Sequence, residues 1–279
     1  MKNQLKDSVI AITGAGSGIG QSLALECARQ GSNLAISDIN LKALQETRSQ
    51  ILALYPSTNV LIHEINVASK DQVFQWSDDV FAHFGKINVI INNAGVALSA
   101  TVEAIQYEDF EWLMDINFWG VVHGCKAFLP HLKQSSWGHI VNVSSLFGLI
   151  STPNTSAYNA AKFAVKGFSE SLRIELMMTH KQLDLSCVHP GGIKTNIANY
   201  ARDGGDKVGS AGRMTTQERS DNFNDKFAKT TPEQAAKIIV NGIIKKQPRI
   251  LVGLDAKILD LLQRFLPVKY QKVVKKVFS

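Results

Sequence analysis

The 279-residue chain has little cysteine. Its three thiols, Cys27, Cys125 and Cys187, are odd in number and far apart. That is neither a disulfide framework nor the paired spacing of a zinc site, so a reducing compartment, the cytoplasm, is expected. Seven histidines are scattered without a His-Glu-x-x-His, and no metal is expected. No apolar run approaches the roughly 18 residues needed to cross a bilayer. A strand-like run begins within eight residues of Met1, which leaves no room for a signal peptide on this reading. Outside its last 24 residues the chain also has almost no net charge. Residues 256–279 hold six basic side chains against one acidic, five of the six net positive charges. The basicity therefore belongs to a tail, and no nucleic-acid-binding face runs through the fold.

What is present is an alternation. β-branched runs at 8–13, 33–38, 59–65, 88–93, 139–144, 184–189 and 249–253 are separated by helical patterns to about 30, over 41–55, 69–84, 108–134, 156–179 and 232–246. Short apolar strands alternating with amphipathic helices predict a parallel sheet covered on both faces. Seven of them predict one doubly wound α/β domain over 1–255, with ligands at the carboxyl ends of its strands. Two segments break the rhythm. Residues 199–230 are polar and glycine-rich, a candidate substrate lid. The tail, 256–279, is a basic amphipathic helical segment with Ile258, Leu261, Leu262 and Phe265 before Pro267 and Tyr270, Val273, Val274 and Val277 after it.

The first strand runs into TGAGSGIG, residues 13–20, where Gly14, Gly18 and Gly20 fit G-x-x-x-G-x-G. Glycines there permit a tight turn and a close approach of the backbone to a pyrophosphate, which the helix N-terminus would hold through amides and dipole. Asp38 ends the second strand, placed to accept hydrogen bonds from a ribose 2′-hydroxyl. No basic residue at Ser17, Ile39 or Asn40 could receive a 2′-phosphate, so NAD(H) is expected in preference to NADP(H). Further along, Tyr158 precedes Lys162 by four positions, the one tyrosine of five with a lysine at that offset. On a helix the two share a face, with Cβ atoms about 5–6 Å apart.

In TGAGSGIG, NNAG (92–95), Asn117 of MDINFWG, Ser144-Ser145, YNAAK (158–162) and PGGIKT (190–195) the chain resembles the short-chain dehydrogenase/reductase family, in its small single-domain branch, over about residues 5–255. Each motif is weak alone; their order and spacing together are a strong signal. The resemblance implies a Rossmann-type sheet and a tetrad of Asn117, Ser145, Tyr158 and Lys162, the serine being 13 residues before the tyrosine. Tyr158 would act as general acid/base, its pKa lowered by Lys162. Ser145 would donate to the reacting oxygen, Lys162 would hold the nicotinamide ribose, and Asn117 a water that relays protons. Cofactor positions carried over in the same way are Gly14, Ser17, Gly18, Ile19, Gly20, Asp38 with Ile39, Asn66 with Val67, and Asn93, Ala94 and Gly95. They continue through Tyr158 and Lys162 to Pro190, Gly191, Ile193 and Thr195. Asn66 departs from the family's usual aspartate.

Substrate contacts are expected from Ser145, Phe147 and Tyr158, with Leu149, Ile150, Phe118 and Trp119 near them, a pocket suited to a lipid-like, steroid-like or aryl alcohol or ketone. The expected activity is interconversion of a secondary alcohol and a ketone, or an aldehyde. Alternatives are an NADP(H)-dependent carbonyl reductase and a non-catalytic cofactor-sensing regulator. A nucleotide-sugar epimerase fits less well, because three residues separate the first two glycines. A symmetric homodimer or homotetramer is expected. The tail would pack on its own domain, on a neighbouring subunit, or on an anionic membrane.

Overall fold

A computed structural model describes residues 4–195, 197, 201–215, 218, 221 and 228–279. Seven parallel strands form the central sheet: β1 (Val9–Thr13), β2 (Asn33–Asp38), β3 (Val60–Glu64), β4 (Val89–Asn92), β6 (Gly138–Val143), β7 (Leu183–Pro190) and β9 (Arg249–Val252). Their order is β3-β2-β1-β4-β6-β7-β9. The direction of winding reverses between β1 and β4, which opens a crevice at the carboxyl ends of those two strands. Every residue of β1, β4 and β6 is buried, as apolar runs covered on both faces require.

Helices α1 (Gly18–Arg29), α2 (Leu41–Leu54) and α7 (Pro232–Ile244) cover one face, burying Leu23, Leu44, Ile51, Ile239 and Ile243 with the sheet. On the other lie α3 (Lys70–Phe84), α5 (Gly120–Leu132) and α6 (Ser156–Thr179), with Val73, Trp76, Phe128, Val165 and Leu176. Local chemistry sets their ends. Asn40 and Ser69 cap α2 and α3, Gly85 stops α3 in a left-handed conformation, and Thr231 and Gln234 form a capping box on α7 behind Pro232. The three cysteines are free and buried within these layers.

The long helix expected over 108–134 is interrupted. It comprises α4 (Tyr107–Met114), one π-helical turn at Asp115–Trp119, and α5. A widened turn adds a residue to the helix without breaking its axis, a feature periodicity does not reveal and one that often marks a functional position. A small sheet, β5 (Leu98–Ser99) with β8 (Arg202–Asp203), was also not expected. It anchors the start of the segment proposed as a lid. Asn154 adds two bonds to Val208, and the Arg202 guanidinium stacks 3.7 Å from the Trp112 ring centroid and pairs with Asp109 at 2.6 Å. Much of the lid expectation, at 199–200, 216–217, 219–220 and 222–227, lies outside the described residues.

The tail forms two helices, α8 (Leu254–Phe265) and α9 (Tyr270–Phe278), with Pro267 between them. Tyr270 and Val274 are buried against Leu146 and Ile150. The Tyr270 hydroxyl accepts a hydrogen bond from Ser151 N at 3.1 Å.

Candidate active site

The glycine turn is built by close approach. Gly14 has φ +66°, and a Cβ there would lie 2.8 Å from Ala94 Cα. A Cβ on Gly20 would overlap the Gly14 carbonyl oxygen and come 2.6 Å from Asn93 Nδ2. The helix that follows leaves its first amides unpaired, since Ser17 precedes it in extended conformation without a side-chain cap. Asp38 lies half-buried at the end of β2. Its carboxylate accepts from Gly16 N at 2.8 Å and from Asn40 N at 3.0 Å, so the acid is bound to the turn itself. Ile39 beside it is exposed. These features fit a dinucleotide: donors and a positive helix end for the pyrophosphate, and an oriented carboxylate for the adenosine ribose.

Across the crevice, Asn93 donates through Nδ2 to the carbonyls of Thr13 (2.9 Å) and Gly14 (3.2 Å), while Thr13 Oγ1 accepts from Asn93 N and Ala94 N, both at 3.0 Å. A Cβ on Gly95 would meet Asn117 Oδ1 at 3.1 Å and Lys162 Nζ at 3.5 Å, which sets this segment directly on the tetrad. Thr195 reaches over the turn from the other side, its methyl 3.2 Å from where a Cβ of Gly18 would be. Pro190 ends β7, Gly191 N bonds to Val252 O at 2.9 Å, and Ile193 is buried in the core, so only part of the 190–195 segment faces the crevice. At Asn66 the side-chain oxygen already accepts from Ala68 N at 3.0 Å, and Val67 packs against Gly120.

Asn117, fully buried in the π-helical turn, is clamped to one residue: Oδ1 accepts from Val96 N and Nδ2 donates to Val96 O, each at 2.8 Å. Its side chain holds the 93–96 segment in place and has no amide hydrogen bond aimed at Lys162. Ser145 follows β6 and opens a short 3₁₀ turn, its Oγ accepting from Phe147 N at 3.1 Å. Ser144 points elsewhere, donating to Lys162 O at 2.8 Å. Tyr158 is half-buried, with the Phe147 ring edge-on at 6.1 Å and Lys162 Nζ 5.6 Å from its centroid. Lys162 is buried and donates to Val143 O at 3.0 Å.

The electrostatics differ from the expectation. Burial pushes the Tyr158 phenol above its usual value, opposed only by the approach of the Ser145 hydroxyl. Burial also lowers Lys162, to about 8. Each group loses water that would stabilise its charged form.

Several positioning residues carried no separate signal in the sequence. Asn159 holds the 147–155 loop, donating to Phe147 O (2.8 Å) and Ile150 O (3.0 Å) and accepting from Thr155 Oγ1 (2.9 Å) and Thr152 N (3.3 Å). His189 Nδ1 donates to Ser145 O at 2.9 Å. Asn92 and Asn142 link β4 and β6 at 2.8 Å, and Asn142 continues to Ser169 of α6 at 2.9 Å. Asp255, on α8, accepts from Gly192 N at 2.7 Å, which joins the tail to the 190–195 segment. Thr13, Asn92 and Asn159 stood inside quoted motifs; polar letters in the buried strands at Asn142 and His189 were the available hint for the others.

Of the apolar side chains expected near the substrate, Phe147 lies edge-on to Tyr158, and Phe118 packs against the same small cluster as Tyr158. Leu149 and Ile150 are buried, Ile150 beneath α9, and Trp119 is on the surface against Phe118 and His123. A largely apolar cleft of about 400 Å³ lies between residues 151–153, Val208 and the α9 residues Val274 and Phe278. Another cavity, of about 420 Å³, lies at the opposite, amino ends of the strands between 6–8, 85–88 and 134–137, away from the crevice.

The chain resembles known proteins along nearly its whole length. The family model for short chain dehydrogenases matches residues 8–205. A putative oxidoreductase of Mycobacterium tuberculosis, SadH, is 44% identical over 98% of this chain and 95% of its own. A Drosophila melanogaster dehydrogenase/reductase SDR family protein 7-like is 31% identical over 96% of this chain and 80% of its own. Among solved structures, a Burkholderia phymatum short-chain dehydrogenase/reductase in complex with NAD superposes with a TM-score of 0.81 at 26% identity, covering 98% of this chain and 96% of that one. A Thermococcus sibiricus alcohol dehydrogenase complexed with 5-hydroxy-NADP shares the fold, with a TM-score of 0.74 at 22% identity over 88% of this chain and 96% of that one. With its seven-stranded parallel sheet, its glycine turn and these relatives, the chain belongs to the short-chain dehydrogenase/reductase family of NAD(P)-dependent oxidoreductases.

Proposed function

We propose that the protein interconverts a secondary alcohol and a ketone, or an aldehyde, on a hydrophobic substrate of lipid-like, steroid-like or aryl type, and that it uses NAD(H) in preference to NADP(H). The observation that carries this reading is the meeting of the Ser145 hydroxyl and the Tyr158 phenol, with Lys162 behind them, at the carboxyl end of β6 beside the Gly95–Asn117 contact. The nicotinamide, when bound, supplies or accepts the hydride. Gly14, Ser17, Gly18, Ile19 and Gly20 would hold the pyrophosphate, and Asp38 the adenosine ribose; Ile39, Asn66 and Val67 would flank the adenine. Asn93–Gly95 and Pro190–Thr195 would line the rest of the dinucleotide.

Ser145 donates a hydrogen bond to the substrate oxygen, where negative charge develops as the carbonyl is reduced. Tyr158 gives its phenolic proton to that oxygen. Its raised pKa keeps it in the protonated form that can donate. Oxidation asks the reverse, a phenolate that accepts the alcohol proton, and needs added positive charge beside the ring. Lys162, near half-charged at pH 8, is the group whose protonation supplies it. The clamp between Asn117 and Val96 keeps the 93–96 segment against Lys162. The Phe147 edge and the apolar cleft beside α9 support a substrate with a large apolar body.

Tyr158→Phe tests the assignment. Removing a positioned acid costs about 100-fold to 10,000-fold in kcat, while the dissociation constant for NADH should move by less than about threefold. A variant that turned over hydrophobic ketones at the native rate would refute the role of Tyr158.

A further inference from the structure

We propose that the outward face of the two C-terminal helices docks the protein on an anionic lipid surface. On α8 the exposed side chains Leu254, Ile258, Leu261 and Phe265 fall at intervals of four, three and four, one continuous helical stripe, with Phe265 79% exposed. The opposite side of the same helix, through Ala256 and Asp260, is the buried one. The stripe faces solvent where an ordinary surface helix carries polar residues. Leu266, Val268, Val273 and Val277 are exposed as well, so eight of the twenty exposed large apolar side chains among the described residues fall within the 24 positions 254–277. Scattered apolar side chains on a surface need no explanation; a concentrated set does.

The charges select the occupant. Lys257 on α8, Lys272, Lys275 and Lys276 on α9, and Lys269 just before α9 are all exposed. Both carboxylates of the segment are committed inward: Asp255 to Gly192 N, and Asp260 to Arg249 and, at 3.1 Å, to Arg264. The face is therefore apolar and positive, without a free side-chain carboxylate among the described residues. A second copy set on it by two-fold symmetry would bring lysines against lysines. An anionic bilayer meets both demands at once, with headgroup phosphates for the lysines and acyl chains for the stripe. Among the described residues no helix is long and apolar enough to cross a membrane, so α8 and α9 would lie in the interface. The face is also rigidly presented. Asp255, the Asp260–Arg249 pair, and Tyr270 and Val274 against Leu146 and Ile150 already fix both helices to the body.

Co-sedimentation of the full chain with extruded vesicles tests the proposal, using neutral phosphatidylcholine and the same lipid with about one third phosphatidylglycerol. The protein should pellet with the anionic vesicles, remain in solution with the neutral ones, and be released by high salt. A quadruple variant, Lys257→Gln, Lys269→Gln, Lys272→Gln and Lys276→Gln, should lose about fivefold in partition coefficient per lysine, at least about a hundredfold in all. The variant Leu261→Ser, Phe265→Ser should lose at least about tenfold. Both should keep native cofactor affinity and native solution mass, which shows that they fold. The proposal is overturned if the native chain ignores anionic vesicles or binds neutral and anionic ones equally. It is also overturned if Leu261→Ser, Phe265→Ser halves the solution mass while vesicle binding is unchanged, since the face would then cover a second copy.

Discussion

Replacing Asp38 by serine separates the two jobs that its carboxylate is proposed to do. Serine is too short to reach a ribose hydroxyl from the end of β2, and it removes the negative charge. A hydrogen bond to a charged group is worth about 1.5–3 kcal/mol, so NADH should lose that much. For NADPH the sign reverses. Two unit charges about 4 Å apart interact by about 4 kcal/mol at an effective dielectric near 20. Asp38 is half-exposed, and solvent and salt cut that to about 2 kcal/mol of repulsion against a 2′-phosphate, which the variant relieves. The variant also loses the bond from Gly16 N at 2.8 Å, but that loosens the turn for both dinucleotides and cancels in their ratio. Together the two differential effects come to about 3.5 kcal/mol or more, so the preference for NADH over NADPH should fall at least about a hundredfold. Quenching of protein fluorescence by each cofactor gives the two dissociation constants without any substrate. A preference that moved by less than about threefold would refute the placement of Asp38 against the ribose.

Asn159→Ala should destabilise the fold and weaken turnover together, because it strips partners from Phe147 O, Ile150 O, Thr152 N and Thr155 Oγ1 in one step. Unsatisfied buried groups cost about 1–3 kcal/mol each; with partial rehydration of the loop the sum is about 3 kcal/mol, a fall in Tm of about 6–12 °C by thermal scan, and a Tm within about 2 °C of native would contradict it. Acid should also destabilise the protein between pH 6.5 and about 4. Burial lowers both His139, near Asp184 and Lys246, and His189, near Arg249, Lys166 and Asp260, to about 4. The unfolded chain therefore binds more protons in that window, and stability is lost as pH falls through it, by about 3 kcal/mol for each histidine. Urea titrations should show the slope, and a double variant His139→Gln, His189→Gln that kept all of it would rule the histidines out.

The fold was largely legible because its signal is distributed. Seven buried parallel strands need near-continuous apolar runs, and runs such as VIAIT and NVIINN cannot be hidden in a sequence. The helix over 156–179 was legible to the residue because its apolar positions recur without interruption. The π-helical turn at 115–119 was not, since one inserted residue leaves the surrounding periodicity almost unchanged. Nor were β5 and β8, two residues each and dependent on a partner about a hundred positions away. In the crevice, residue types at the motif positions could be read, but direction could not. Nothing in the letters of PGGIKT separates Ile193, which enters the core, from Thr195, which lies over Gly18.

The acidity of Tyr158 shows where spacing stops being informative. Four positions on a helix bring an ammonium group and a phenol to one face, and in water that proximity alone would favour the phenolate. The sign of the effect here is decided by how much water the fold removes from both groups. Lys162 is 4% exposed, lies 5.6 Å from the ring centroid and is lowered to about 8 by burial. Burial depth depends on the packing of α6 against β6 and on the 144–150 turn held by Asn159 and His189. None of these contacts is a function of the tyrosine–lysine offset. The short motif therefore specifies which residues share a helix face, while the layers around it set how much water each group keeps and, with it, how readily each is charged.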